Sequence, residues 1–155
     1  MAYVITGLSP EPFRLLFGLS DAALAEHGAV RRTVDAKPGF PCRITLEDAE
    51  PGETVLLLNH EYQDADTPYR GRHAIFVREG AEAMARVVDE VPPYLAGRLI
   101  SLRAFDEAGM MVDADVTEGR DLEPVIARMF ENDAVAYLQA HNAKRGCYAA
   151  RIERT

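Results

Sequence analysis

The sequence predicts an α+β fold: one domain over residues 1–155, built on a largely antiparallel sheet with about four short helices. Three observations carry this. Two pairs of strand-like segments, Leu99 to Asp106 with Met110 to Val116 and Ala134 to His141 with Cys147 to Ile152, are joined by loops only a few residues long. Strands joined that closely run antiparallel. Strand patterns also dominate between Ala29 and Arg78, and helical spacing is confined to short segments closed by glycine or proline.

Taken in order, Tyr3 to Thr6 reads as a first strand. Ser9 caps a helix that opens with Pro10 and Pro12, buries Phe13, Leu16 and Phe17, and ends at Gly18. Ser20 caps a second through His27, closed by Gly28. Ala29 to Val34 is a strand. After the turn Lys37-Pro38-Gly39, Cys42 to Leu46 alternates with Cys42, Ile44 and Leu46 on one face. Pro51-Gly52 turns into the unbroken apolar run Val55 to Leu58, the pattern of a strand buried on both faces. Gln63 to Arg72 is a polar loop before the strand His73 to Arg78. Ala81, Met84, Val87, Val88 and Val91 recur at helical spacing until Pro92-Pro93.

In the hairpin that follows, Glu107-Ala108-Gly109 places Arg103 opposite Asp113 and Ser101 opposite Asp115, with Ile100, Leu102 and Ala104 on the other face. Leu122, Val125, Ile126, Met129 and Phe130 mark a helix after Asp121. In the closing hairpin, pairing His141 with Cys147 puts Ala136, Leu138, Ala140, Tyr148, Ala150 and Ile152 on the core side. Opposed residues have Cβ atoms roughly 4.5–5.5 Å apart, so His141 and Cys147 become candidates for a base and a nucleophilic thiol. Packing is the heavier reading for this pair, since cysteine usually behaves as a small buried hydrophobe. It is heavier still for Cys42, which alternates with Ile44 and Leu46.

Composition bounds the partners. The net charge is −8, from 25 acidic against 17 basic residues, which argues against a nucleic-acid or anionic-membrane partner. No run of about 18 apolar residues predicts a membrane span, and no basic–apolar leader is expected at Met1 to Gly7. Two cysteines are too few for a secreted disulfide framework, so a cytoplasmic setting is expected. Within this acidic chain, Arg43, Arg70, Arg72, Arg103 and Arg145 cluster near turns, where guanidinium forks suit carboxylate or phosphate. The competing reading pairs them with the abundant carboxylates at about 0–1 kcal/mol each. His60, Glu61, His73, His141 and Cys147 include metal-ligand types but lack a metal site's short fixed spacing, so no metal is assigned.

Several segments carry a resemblance: Pro38 to Arg43, Tyr69-Arg70-Gly71 before Ile75 to Arg78, Ser101 to Ala104, Gly109 to Ala114, and His141-Asn142-Ala143 with Gly146-Cys147-Tyr148. In these the chain resembles a bacterial family of unknown function, DUF1203, from roughly Phe13 to Arg154. The resemblance implies a small stand-alone bacterial protein and carries no activity, substrate or catalytic residue.

The leading expectation is a cytoplasmic protein that binds a small anionic molecule in a pocket of Arg43, Arg70, Arg72, Arg103, His141 and Cys147, with Arg145 nearby. The second is a cysteine-dependent enzyme with Cys147 as nucleophile or redox thiol, His141 as base, and Arg145 or backbone donors stabilising developing charge. The third is a structural or interaction module. The sequence assigns neither a cofactor nor an oligomeric state.

Overall fold

Strand alternation and short connections build two sheets. The computed structural model describes residues 2–155. Its strands are β1 (Tyr3–Thr6), β2 (Val30–Thr33), β3 (Pro41–Cys42), β4 (Glu47–Asp48), β5 (Thr54–Gln63), β6 (Gly71–Arg78), β7 (Arg86–Val88), β8 (Leu99–Phe105), β9 (Met111–Glu118), β10 (Tyr137–Asn142) and β11 (Tyr148–Arg154). The α-helices are α1 (Asp21–Glu26), α2 (Pro93–Ala96) and α3 (Leu122–Phe130), with 3-10 turns at Glu11–Leu16 and Gly119–Asp121. One sheet runs β7-β1-β11-β10-β8-β9 and the other β2-β5-β6-β3-β4. Neighbours are antiparallel except β3 and β6, which run parallel at Cys42 and Phe76. The α+β class expected from the sequence is the class observed.

Each sheet buries one face under helices. On the six-stranded sheet, Leu122, Ile126, Met129 and Phe130 of α3 pack on Leu102, Ala104, Leu138, Ala140 and Ile152. On the five-stranded sheet, Phe13, Leu16 and Leu24 join Leu56, Leu58, Ile75 and Val77. Ser20 caps α1 as expected, its Oγ accepting from the Ala23 amide at 3.2 Å. Between the sheets lies a seam of rings: Tyr62 meets His141 edge-on at 5.0 Å, and Tyr148 sits 5.8 Å from His60 and 5.7 Å from His141. Two amide hydrogen bonds cross the same seam, Gln139 Nε2 to the Tyr62 carbonyl at 3.0 Å and Gln63 Nε2 to the Tyr137 hydroxyl at 2.8 Å.

Four expectations are corrected. The helix expected from Ala81 to Val91 is a bent segment containing β7, with Val87 opposite Ile5. β1 is buried, and its outer backbone groups need a ladder partner, which β-branched Val87 and Val88 supply well. The strand expected from Cys42 to Leu46 stops at Cys42. Arg43 to Leu46 form a turn in which Leu46 has φ 53. That turn is gripped from outside: the Leu8 amide donates to the Arg43 carbonyl at 2.7 Å and the Ala85 amide to the Ile44 carbonyl at 2.9 Å. The polar loop from Gln63 to Arg72 is shorter than expected, because β5 extends to Gln63 and β6 starts at Gly71.

The fourth correction is one of register. A bulge between Ala104 and Phe105 shifts β9 by one position, setting Asp113 opposite Ala104 and Asp115 opposite Leu102. A one-residue slip moves every side chain to the other face. Asp113 and Asp115 therefore meet Arg128 of α3, at 3.2 and 2.8 Å, and not Arg103. The bulge comes where Phe105 is buried against Tyr137, with ring centroids 5.4 Å apart.

One glycine tests the packing of α2 against the turn after β9. A Cβ added at Gly119 would collide with the Leu95 and Arg98 carbonyls, whereas at Gly39 the nearest atom would be 3.8 Å away. Gly119→Ala is expected to destabilise the protein by about 1–3 kcal/mol, as overpacking does. Gly39→Ala is expected to stay within about 0.5 kcal/mol. Urea midpoints at unchanged slope measure both.

Candidate functional site

The site starts from the turn after β3. Cys42 and Ile44 are both buried, which swings the intervening Arg43 under the first residues of β11. Arg43 is 1% exposed. Its Nε donates to the Tyr148 carbonyl at 2.8 Å, Nη1 to the Pro41 carbonyl at 2.6 Å, and Nη2 to the Cys147 Sγ at 3.0 Å. Among the described residues, no carboxylate lies within ion-pairing distance of it. A guanidinium stays protonated at any working pH, so this is a buried positive charge balanced by dipoles and one sulfur.

Cys147 is placed by the closing hairpin. The loop closes through Gly146 N to the Asn142 carbonyl at 2.7 Å and Asn142 N to the Cys147 carbonyl at 2.8 Å, with Gly146 in the left-handed region at φ 74. Asn142 Nδ2 lies 3.5 Å from the Cys147 sulfur, while its Oδ1 is buried without a donor. Arg43, Asn142 and Cys147 all line a cavity of about 650 Å³ between the closing loop, β6 and the start of β8. Lys144 and Arg145 line it from the exposed loop, as do His73, Arg98 and Glu118. Arg98 is already paired with Asp48, at 2.5 and 3.1 Å.

The expected pairing of His141 with Cys147 is not formed. His141 stands opposite Tyr148, and a bulge at Ala140/His141 then sets Ala140 opposite Ala150 and Leu138 opposite Ile152. In the body of the hairpin the partners are displaced by two positions from those expected, so Leu138, Ala140, Ala150 and Ile152 keep the core face. Tyr148 changes sides and joins His141 in the seam, Ala149 joins the core, and Cys147 turns to Asn142 and Arg43. His141 is fully buried, with Nε2 2.9 Å from Gln139 Oε1 and Nδ1 3.5 Å from the Gly146 carbonyl. The Gln139 amide, oriented by its bond to Tyr62, makes Nε2 the protonated nitrogen. Burial first, then the charges of Arg103, His73 and Arg43, push the His141 pKa down to about 3, against a backbone bond to Gly146 that raises it.

Nor do the arginines gather as expected. Arg43 and Arg145 share the cavity. Arg70 is spent on its own loop, donating to the Asp64 and Ala65 carbonyls at 2.9 and 3.3 Å. Arg72 donates to Asn59 and faces Glu61 at 3.6 Å, and Arg103 donates to Ser101 at 3.2 Å. Sequence reasoning missed Asn142 and Arg98, for which no periodicity or motif gives a signal. Lys144 was missed as a pocket residue as well, although it adjoins the candidate Arg145 in sequence. Among the described residues no three candidate metal ligands come together; His60 and His73 face each other across β5 and β6. No helix among them is long and apolar enough to cross a membrane.

The model of a protein family of unknown function matches residues 39–154, which span β3 to β11 and every cavity residue named above. The chain belongs to the DUF1203 family. No curated protein and no solved structure matches it. The DUF1203 match begins after β1, which nonetheless supplies the strand between β7 and β11.

His141 gives the site a pH signature. Its folded pKa lies below its ordinary 6.5, so below pH 6.5 the unfolded chain binds a proton that the folded chain refuses. Its stabilising effect is complete above pH 6.5 and is lost as pH falls toward 3, at up to about 1.4 kcal/mol per pH unit. Glu79, held down to about 2 chiefly by Arg31, acts in a lower window, below its ordinary 4.5. Between pH 6.5 and 4.5, urea unfolding of the wild type is therefore expected to show a falling stability that His141→Gln makes shallower, the remainder coming from His60, whose pKa burial also lowers.

Proposed function

We propose that this protein binds a small anionic molecule, bearing carboxylate or phosphate oxygens, in the cavity beside Cys147. One observation carries the reading: Arg43, Lys144 and Arg145 line a common cavity with no carboxylate in ion-pairing distance of any of them among the described residues. Elsewhere arginines pair with carboxylates, as at Arg31, Arg78, Arg98 and Arg128, or donate to backbone carbonyls, as at Arg70 and Arg154. Three cations left over at one place form a local field that favours an anion. Arg43 would act as the fixed donor in the wall, and Lys144 and Arg145 as mobile arms over the mouth. Glu118 on the far rim would select against a ligand too long for the cavity.

The pocket proposed differs from the one expected from sequence. It keeps Arg43, Arg145 and Cys147, adds Lys144 and Asn142, and leaves Arg70, Arg72, Arg103 and His141 to other work. A cytoplasmic setting fits two free, buried cysteines. Exposed Val112 and Val116 on β9, with exposed Met110 just before it, favour the alternative of an interaction module.

Titration with inorganic phosphate and with succinate, followed by calorimetry at low and moderate salt, tests the proposal. Saturable binding of one of them is expected. Replacing Lys144 and Arg145 together by alanine should weaken it about ten-fold or more, the scale of one lost charge-assisted bond. Failure of both anions to bind, or equal binding by the double variant, overturns it.

A further inference from the structure

We infer that Cys147 is a peroxide-reactive thiol whose sulfur is presented to the cavity by Arg43 and Asn142. Two independent observations meet at one sulfur. The first is the buried guanidinium of Arg43, which lacks a carboxylate and aims an N–H at Sγ from 3.0 Å. A cation at that distance stabilises negative charge on sulfur, and the thiolate is the nucleophilic form of cysteine. The second is Asn142, whose Nδ2 approaches the same sulfur at 3.5 Å while its Oδ1 is buried with no donor. Two N–H donors therefore converge on the sulfur of a residue that lines a cavity.

A hydroperoxide matches that set. The Cys147 thiolate attacks the terminal O–H oxygen. An S–O bond forms, the O–O bond breaks, and its electron pair leaves with the second oxygen. That oxygen leaves as hydroxide or alkoxide and takes a proton from water. Sulfur is oxidised to sulfenic acid and the peroxide is reduced. The leaving oxyanion departs into the field of Arg43, Lys144 and Arg145. A small-molecule thiol attacking the sulfenic sulfur gives a mixed disulfide and water, and a second such thiol attacks that disulfide, leaves as the small-molecule disulfide and restores the Cys147 thiol.

The second cysteine is an internal control. Cys42 is fully buried in the core with Ile44 and Leu56, and its sulfur accepts the Arg78 amide at 3.2 Å. Cys147 is 7% exposed and opens on a cavity large enough for a small peroxide. Arg43 acts here as a positioning residue. The inference does not rest on the anion-binding reading: a cavity that binds neither phosphate nor succinate still leaves the sulfur between Arg43 and Asn142.

The reduced full chain is treated with hydrogen peroxide at neutral pH in the presence of dimedone, which traps sulfenic acid, and the adducts are located by peptide mass spectrometry. Adduct is expected at Cys147 and not at Cys42, forming at least about ten-fold faster than on an unstructured cysteine peptide. Arg43→Lys, which keeps the charge, should hold the rate within about three-fold, whereas Arg43→Met should lower it about ten-fold or more, with Cys42 still untouched. A Cys147 rate no faster than the peptide's, equal adduct at both cysteines, or a wild-type rate in a folded Arg43→Met each overturns the inference. Where Arg43→Met does not fold, the comparison of wild type with the peptide and with Cys42 decides alone.

Discussion

A buried arginine joins the two halves of this fold. Arg43 leaves the five-stranded sheet at the end of β3 and donates to its own strand through Pro41, and to the six-stranded sheet through Tyr148 and Cys147. Taking a guanidinium out of water costs several kcal/mol even after relaxation, so the position is tenable only with its donors engaged. Three bonds engage three of its five N–H groups, one at each nitrogen, each of the charge-assisted kind that contributes about 1.5–3 kcal/mol. The same charge explains why the start of β11 sits where it does. Shifting the strand by a residue would break the Tyr148 contact and remove the sulfur from the fork.

Around this bridge the sheets meet through rings and amides and not through a plain aliphatic core. His141, Tyr148, Tyr62 and His60 interleave, and Gln139 and Gln63 close the remaining hydrogen bonds. Such a seam is stable only when its polar atoms are satisfied, since unpaired buried groups are costly in low dielectric. His141 meets the requirement by staying neutral. Tyr148 does so by keeping its phenol protonated, its pKa pushed up by burial. The aliphatic cores lie on either side, under α3 and under α1.

Local chemistry was legible wherever one face of an element meets the core. Leu122, Ile126, Met129 and Phe130 announce α3 by spacing alone, and Ser20 announces the cap of α1. Leu138, Ala140, Ala150 and Ile152 declare the inner face of the last hairpin even though their partners were misjudged by two positions, because a shift of two preserves the alternation. The misreadings have specific sources. Two bulges, at Ala104/Phe105 and Ala140/His141, change register without changing composition. Val87 and Val88 fit a helix by spacing, and became a strand because β1 needed a neighbour.

The sequence by itself determined the class of the fold, the inner and outer faces of most elements, and an acidic net charge. Which arginines stay free of a carboxylate was decided only by the tertiary structure. Whether a guanidinium finds a carboxylate depends on which strands become neighbours, and Arg43 meets Cys147 across 104 residues of chain. The partner of Cys147 was decided in the same way. Proximity in sequence suggested His141. A tight loop and a bulge turned that ring toward Gln139, and the sulfur was left to the charge arriving from the other sheet.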